Sequence, residues 1–188
     1  MPHSAASPED ARARLRDIID TRSLLRDGPY KLASGAVSDH FLDIKRTMAD
    51  PEGLNLIADL ILDAIEGEKV DCVGGLELGA VPIAAVVSAR AWQRGRRLPM
   101  FVVRKAIKDH GTQRPVEGEL KPGMVALVLE DVTTKGGSAM QAVEAVRAAG
   151  VEVAGVFSVV DRQEGAAARF SAEGIQLRSL FTWADFVR

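Results

Sequence analysis

The sequence has few of the residues that cross-link a chain or anchor it in a membrane. It has a single cysteine, Cys72, which excludes an intrachain disulfide and a thiolate metal cluster within one chain. Cys72 lies in the apolar run 70–73, so we expect a small core residue rather than a nucleophile. No stretch approaches the roughly 20 apolar residues that span a bilayer. Residues 1–10 lack the apolar segment of a secretory signal, and we therefore expect a cytoplasmic protein.

The charge of the chain is nearly balanced. Lys plus Arg number 24, Asp plus Glu number 26, and the formal net charge is -2. This balance argues against a protein that binds nucleic acid or a membrane through bulk charge. With 188 residues, 47% of them apolar, the chain is expected to form a single domain over residues 1–188.

From residue 51 onward, apolar strands alternate with amphipathic helices. The expected strands are residues 70–74, 100–103, 124–129, 151–160 and 175–180, and the expected helices are residues 51–67, 79–90, 138–149 and 165–172. The third strand is apolar throughout, which is typical of a strand covered on both faces. The pattern predicts an α/β fold with a central, mainly parallel sheet flanked by helices. In such folds ligands bind beyond the carboxyl ends of the strands.

Two regions lie outside this alternation. Before the sheet, we expect a helix over residues 7–23 and a hairpin, in which a short strand after a turn at 28–35 pairs with residues 40–44. Residues 105–121 carry much charge and little apolar periodicity, which favours a long exposed loop.

Two acidic residues, Glu130 and Asp131, directly follow the apolar strand 124–129, and residues 132–138 lead from them into a helix. Acids at the end of an apolar strand need water, a cation or ligand hydroxyls. The glycines and hydroxyls of the following loop, together with the helix N-terminus, favour an anion. This order suits a phosphorylated sugar. The alternative is an ordinary strand-to-helix turn, while the nucleoside triphosphate and dinucleotide glycine motifs are absent from the sequence.

Residues 127–138, Leu-Val-Leu-Glu-Asp-Val-Thr-Thr-Lys-Gly-Gly-Ser, resemble the phosphoribosyl pyrophosphate (PRPP) motif of type I phosphoribosyltransferases. In that family the two acids contact the ribose hydroxyls and the loop holds the 5′-phosphate. The resemblance implies that Glu130 and Asp131 bind PRPP. It implies the same for the loop residues Val132, Thr133, Thr134, Lys135, Gly136, Gly137 and Ser138.

A basic segment follows the strand 100–103 and contains Arg104, Lys105, Lys108 and His110. Such runs are commonly solvated surface. This one lies at the expected ligand face, where cations on a closing loop can stabilise departing pyrophosphate. It resembles the Arg-Lys-x-x-Lys-Asp-His-Gly loop of orotate phosphoribosyltransferases, which in that family crosses a dimer interface. The resemblance implies PRPP contacts from all four residues, a homodimer and a mobile catalytic loop at 105–121.

The same resemblance assigns the residues expected to take part most directly in the reaction. Lys108 would be the principal catalytic cation, and Asp131 is the second expected catalytic residue. Residues 159–165 resemble the family's Asp-Arg segment, which implies that Arg162 binds the orotate carboxylate. The planar guanidinium fork of Arg matches a carboxylate. Thr134 would lie against the base.

The N-terminal hairpin, within residues 1–45, resembles the hood that covers the base in this family. Phe41 would then pack on the flat ring. Many members have Lys directly before the Ser-Gly pair at 34–35, where this chain has Ala33. Lys31 lies two residues earlier on the same strand face and is expected to substitute for it.

The loop after the strand 70–74 also departs from the family pattern. Some members carry Tyr-Lys before its last glycine, whereas this chain has Glu77 and Leu78. Backbone N–H groups of this loop can still bind pyrophosphate, and Glu77 could contact a magnesium-bound water. The expected cofactor is Mg²⁺, held mainly by PRPP and water.

The resemblance implies transfer of the phosphoribosyl group from PRPP to orotate, giving orotidine 5′-phosphate and pyrophosphate in pyrimidine (UMP) biosynthesis. Two alternatives stay open at this point. One is a phosphoribosyltransferase for another base, such as a purine, and the other is a non-catalytic regulator that senses PRPP.

Overall fold

The structure is a computed structural model that describes residues 7–31, 37–105 and 115–187. It opens with helix α1 (Pro8–Ile18), which begins where the Ser7 hydroxyl accepts the Asp10 N–H, and continues into a π-helical turn, Ile19–Ser23. Four strands of two residues follow: β1 (Leu24–Leu25), β2 (Tyr30–Lys31), β3 (Val37–Ser38) and β4 (Phe41–Leu42).

These short strands form two antiparallel ribbons, in which β1 pairs with β4 and β2 pairs with β3. The expected pairing of the 28–35 strand with residues 40–44 was therefore wrong. Residues 41 and 42 pair with β1 instead, and Ile44 already belongs to a short helix, α2 (Ile44–Met48), that was not predicted. Strands of two residues carry too little apolar alternation to specify a partner.

A six-stranded sheet forms the centre of the molecule. Its strands are β5 (Cys72–Leu76), β6 (Met100–Val103), β7 (Val116–Gly118), β8 (Val125–Thr133), β9 (Glu152–Asp161) and β10 (Leu177–Thr182). The spatial order is β10-β9-β8-β5-β6-β7, and every neighbouring pair is parallel except β6 with β7. The remaining helices are α3 (Pro51–Ala64), α4 (Ala80–Gln93), α5 (Gly137–Ala148) and α6 (Ala166–Ala172), and a 3₁₀ turn (Trp183–Asp185) follows β10.

The sheet has a hydrophobic core on each face, which confirms the predicted α/β architecture. Alternate residues of β8 show this arrangement, because Leu127 belongs to one core with α3 and α4 while Val128 belongs to the other with α5. Cys72 is fully buried, and burial raises the pKa of its thiol to about 12. It is therefore a core residue, as its sequence context predicted.

Two strand boundaries differ from the prediction in ways that matter for the site. Residues 105–121 are not all loop, since β7 adds an antiparallel edge strand to β6. Its sequence, Val-Glu-Gly, offers almost no apolar alternation. Strand β8 continues to Thr133, so both acids belong to the strand itself. Among the described residues, no helix is long and apolar enough to cross a membrane.

Candidate active site

The carboxyl end of β8 carries two buried carboxyl groups. Glu130 is 7% exposed and Asp131 is 8% exposed. Burial, reinforced by the neighbouring charge of Asp131, raises the pKa of Glu130 to about 8. Glu130 therefore holds a proton near neutral pH. The pair presents one carboxylate and one carboxylic acid to a ligand, which together can accept and donate hydrogen bonds to hydroxyl groups.

Asp131 is held in place by two donors. Its Oδ1 accepts the Val132 N–H at 2.9 Å, and its Oδ2 lies 3.0 Å from the Lys45 Nζ. Burial is the largest single influence on the pKa of Lys45 and lowers it, but the hydrogen bond to Asp131 and the neighbouring acidic charges together outweigh burial and hold that pKa above its ordinary value. Lys45 was not predicted as a site residue. Its one sequence signal, a Lys-Arg pair before the cap of α3, is common on surfaces.

The loop between β5 and α4 lies directly against Asp131. A Cβ atom at Gly79 would lie 2.6 Å from Asp131 Oδ1, and one at Gly75 would lie 2.3 Å from the Leu129 carbonyl oxygen. A larger side chain at Gly79 would displace the Asp131 carboxyl group, and one at Gly75 would displace the backbone of β8. The predicted pyrophosphate loop and the predicted ribose acids are therefore neighbours, and glycine is what allows this close approach.

The loop after β8 presents hydrogen-bond donors at the start of a helix. Gly136 has φ of 73°, a left-handed conformation that turns the chain into α5. The Arg162 N–H donates to the Thr133 carbonyl at 2.8 Å, which ties the loop to the end of β9. The exposed members of the loop are Thr134, Lys135, Gly137 and Ser138.

Thr133 differs from these exposed loop residues because it is buried. Its Oγ1 has no hydrogen-bond partner within the described parts of the chain. The loop thus has the exposed hydroxyls and helix N-terminus that suit a phosphate, as predicted.

A cavity of about 440 Å³ opens beside this loop and joins the two halves of the predicted site. Its walls include Asp131 from the ribose side, and Phe41, Thr134 and Arg162 from the predicted base side. The other lining residues are Leu42, Ile44, Lys45, Val132, Lys135 and Glu164. Lys31 lies exposed on β2 and is not among these lining residues, so the structure does not bring it to the cavity.

Arg162 projects into this cavity from the end of β9. Its guanidinium carbon lies 4.5 Å from the centroid of the Trp183 ring, in a cation–π contact that helps to hold the group in place. The Arg162 Nε lies 3.0 Å from Glu164 Oε1. The Nε–H is nevertheless not directed at that oxygen, and Nε has no hydrogen-bond partner among the described residues. Neither Trp183 nor Glu164 was predicted as a site residue.

Three contacts hold the first residues of the basic segment that follows β6. The Arg104 N–H donates to the Pro115 carbonyl at 3.0 Å, and the Arg104 Nη1 lies 2.9 Å from Glu117 Oε1. The Lys105 N–H donates to Glu77 Oε1 at 3.0 Å. These contacts place Arg104 and Lys105 beside the β5–α4 loop. Two other predicted residues, Lys108 and His110, lie outside the described residues, as does the Ser-Gly pair at 34–35.

Comparisons with known proteins agree with this geometry. The family model described as "Phosphoribosyl transferase domain" matches residues 45–181. The fold and the site thus define the class of the protein, a phosphoribosyl transferase domain.

The orotate phosphoribosyltransferase of Rhodopseudomonas palustris strain TIE-1 is 46% identical over 185 residues, covering 96% of this chain and 98% of that protein. A crystal structure of the Mycobacterium tuberculosis H37Rv orotate phosphoribosyltransferase with Fe(III) dicitrate has a TM-score of 0.84 at 39% identity, over 95% of this chain and 99% of that one. A structure of that enzyme with PRPP has a TM-score of 0.77 at 34% identity, over 98% and 94%. The chain belongs to the orotate phosphoribosyltransferase family, which confirms the resemblance identified from the sequence.

Proposed function

We propose that this chain transfers the phosphoribosyl group from PRPP to orotate, releasing pyrophosphate and forming orotidine 5′-phosphate in pyrimidine biosynthesis. The observation that carries the proposal is the single cavity in which Asp131 and Arg162 both form walls. One group suits a sugar hydroxyl and the other suits a carboxylate. The relatives that match over nearly the whole chain are named for this activity.

The PRPP half of the site lies around the end of β8. Glu130 and Asp131 hold the ribose hydroxyls, one as an acid and one as a carboxylate. The N–H groups and hydroxyls of residues 132–138 hold the 5′-phosphate at the start of α5. Arg104 and Lys105, together with Lys108 and His110 from the predicted loop, would neutralise the pyrophosphate as the bond to ribose C1 breaks. In this description no covalent nucleophile is needed.

The base half of the site lies at the end of β9. Arg162, held by its contact with Trp183, receives the orotate carboxylate, and Thr134 lies beside the ring. Phe41 also lines the cavity and can pack on a planar base. An orotate-binding role for Lys31 stays a proposal, because Lys31 is not among the residues that line the cavity.

Magnesium fits the substrate better than it fits a dedicated protein cage. Among residues 7–31, 37–105 and 115–187, no group of three or more potential metal ligands was found. Asp131 and Glu77 both use carboxylate oxygens to accept hydrogen bonds from the protein. Mg²⁺ commonly binds phosphate oxygens and water, where it would supply charge neutralisation to the pyrophosphate. We therefore propose that Mg²⁺ is carried by PRPP, with this chain contacting it mainly through water.

A homodimer is supported by an exposed apolar stripe along α4. Leu78, just before the helix, is 67% exposed and Trp92 near its end is 73% exposed. Ala85, Ala89 and Trp92 lie on one face of α4 at helical spacing and are all exposed. Because Leu78 adjoins Gly79, a second subunit packed on this stripe would lie beside the site. The cytoplasmic location expected from the sequence stays a prediction.

The activity is tested by following orotate absorbance with PRPP and Mg²⁺. Turnover of orotate, with none of adenine, hypoxanthine or uracil, is the expected result. Arg162→Gln should abolish most orotate turnover while the fold is kept, measured by circular dichroism. A protein that turns over a purine but not orotate would contradict the proposal. RNA or DNA binding at physiological salt with no turnover would favour the regulator instead.

The shared site is tested by mixing two inactive variants, Lys108→Ala and Asp131→Asn. If Lys108 acts across the interface, heterodimers regain one intact site and part of the activity. Lys108→Ala alone should lower turnover far more than Tm, because the sequence predicts a loop at Lys108, and loop residues rarely support a core. No recovery in isolated heterodimers would show that each chain contains a complete site.

A further inference from the structure

Arg162 and Glu164 line the same wall of the cavity, with Arg162 Nε 3.0 Å from Glu164 Oε1. We propose that Glu164 is an internal competitor for the orotate carboxylate, which balances the charge of Arg162 while the base site is empty and must yield when the base enters. This inference rests on the proposed function, in which Arg162 receives that carboxylate.

Arg162 is largely buried in the wall of the cavity. Its side chain is 12% exposed, whereas that of Glu164 is 36% exposed. A guanidinium is always charged, and burying it without a nearby opposite charge is costly. The cavity lining contains two acidic residues, and one of them, Asp131, is already paired with Lys45. Glu164 is thus the acid of the lining that is available to balance Arg162 when the cavity holds no base.

The contact between Arg162 and Glu164 lacks hydrogen-bond geometry at Nε. A guanidinium forms its strongest bonds when two N–H groups meet a carboxylate in one plane. Glu164 does not do this, because the Nε–H has no partner with hydrogen-bond geometry among the described residues. The contact is therefore electrostatic, while the guanidinium carbon also lies 4.5 Å from the centroid of the Trp183 ring. A planar carboxylate entering the cavity can therefore form better-directed bonds than Glu164 does.

A carboxylated base that enters the cavity brings a second carboxylate to Arg162, beside Glu164. Two carboxylates close to one guanidinium repel each other, so orotate binding must either displace Glu164 or accept that repulsion. In both cases Glu164 lowers the affinity for a carboxylated base. A neutral base brings no second carboxylate, so it leaves the pair of Arg162 and Glu164 undisturbed. The effect of Glu164 is therefore specific to the carboxylate of the substrate.

The experiment is Glu164→Gln, which keeps the shape of the side chain and removes its charge. We expect the KM for orotate to fall about two- to fivefold, as for loss of a partly exposed ion pair, with kcat and the KM for PRPP little changed. The inhibition constant of uracil, which lacks the carboxylate, should not change. Glu144→Gln is the matched control, because it makes the same charge change on the exposed side of α5, outside the cavity lining.

The direction in which the KM for orotate changes distinguishes a Glu164 that competes with the substrate from a Glu164 that positions Arg162. If Glu164 merely positions Arg162, the Gln variant will raise the KM for orotate, and a raised or unchanged KM overturns the proposal. An equal effect on uracil inhibition overturns it as well. Failure of the inference is distinguishable from failure of the proposed function, because Arg162→Gln reports on the latter. Loss of orotate turnover in Arg162→Gln with no effect of Glu164→Gln would leave the function standing and refute the inference.

Discussion

Lys45 and Asp131 are 86 residues apart in the sequence, yet Lys45 Nζ lies 3.0 Å from Asp131 Oδ2. The ammonium comes from α2, the short helix that follows the N-terminal ribbons, and the carboxylate comes from the end of the central strand β8. The pair joins the N-terminal part of the chain to the residue proposed to hold the ribose. Its lysine side chain is more than half exposed, and its carboxylate is mostly buried.

Replacing Lys45 with Met should raise the KM for PRPP about two- to fivefold, the range expected for a half-exposed ion pair. The ammonium orients Asp131 and offsets the repulsion between buried acids and a polyanionic substrate. Steady-state kinetics with PRPP varied at saturating orotate will measure the change. Lys69→Met removes the same charge at an exposed position outside this cavity and should leave the KM for PRPP unchanged. A KM for PRPP that is equal in both variants would count against a role for Lys45.

Glu77 offers a test between two interpretations of the β5–α4 loop. Its carboxylate accepts the Lys105 N–H, and a Gln side chain retains an oxygen that can do the same. We therefore expect Glu77→Gln to keep nearly full activity, and Glu77→Ala to lose about two- to tenfold in kcat/KM for PRPP, the value of one hydrogen bond. Titration of Mg²⁺ in both variants completes the measurement. If Glu77→Gln lowers kcat/KM for PRPP as much as Glu77→Ala does, and both variants need a higher Mg²⁺ concentration, Glu77 acts through the metal.

The raised pKa of Glu130 makes stability depend on pH. Below its ordinary pKa, Glu130 is protonated in both the folded and the unfolded chain, and its contribution is fully present. Between that value and about 8, the unfolded chain ionises while the folded chain keeps the proton, so stability falls as pH rises. Glu130→Gln cannot ionise and escapes this loss. The difference in unfolding free energy, variant minus wild type, should grow by at most roughly 1.4 kcal/mol per pH unit across this range.

Thermal unfolding without PRPP, at several pH values from about 5 to 9, will measure this difference. The difference should stop increasing above about pH 8, where Glu130 is ionised in both the folded and the unfolded wild type. Glu144→Gln serves as the control, because an exposed carboxyl group should give a difference that does not grow with pH. A Glu130→Gln difference that is flat across the same range would show that Glu130 is ionised in the folded protein.

The exposed stripe on α4 predicts how subunits associate. Trp92→Glu places a charge on the exposed apolar stripe and should shift the protein towards monomers in size-exclusion chromatography with light scattering. Activity should fall with it, since the proposed site borrows Lys108 from the partner. Glu144→Arg, a surface change on α5, should leave the mass unchanged. A dimer that survives Trp92→Glu would place the interface elsewhere.

The parts of this site that the sequence predicted are those in which neighbouring residues act together. Glu130, Asp131 and the loop after them form one continuous segment, so their order alone indicated a bound sugar phosphate. Arg162 needed the family resemblance, because a lone arginine at a strand end is common on surfaces. Glu164 was missed although it lies two residues from Arg162, because the sequence does not show that it lines the cavity. Lys45 and Trp183 were missed because each matters through a contact set by tertiary packing. The pairing of the N-terminal ribbons was missed for the same reason.

The contacts that hold the first residues of the basic segment have a consequence for protein engineering. The antiparallel pairing of β6 with β7, the bond from Arg104 to Pro115 and the ion pair of Arg104 with Glu117 hold the chain just before residue 106 next to the chain just after residue 114. The described strands of the sheet and the described lining of the cavity at Arg162 come from other parts of the chain. We therefore expect residues 106–114 to be exchangeable as a unit. Transplanting it from related enzymes would change how pyrophosphate leaves without disturbing which base is chosen.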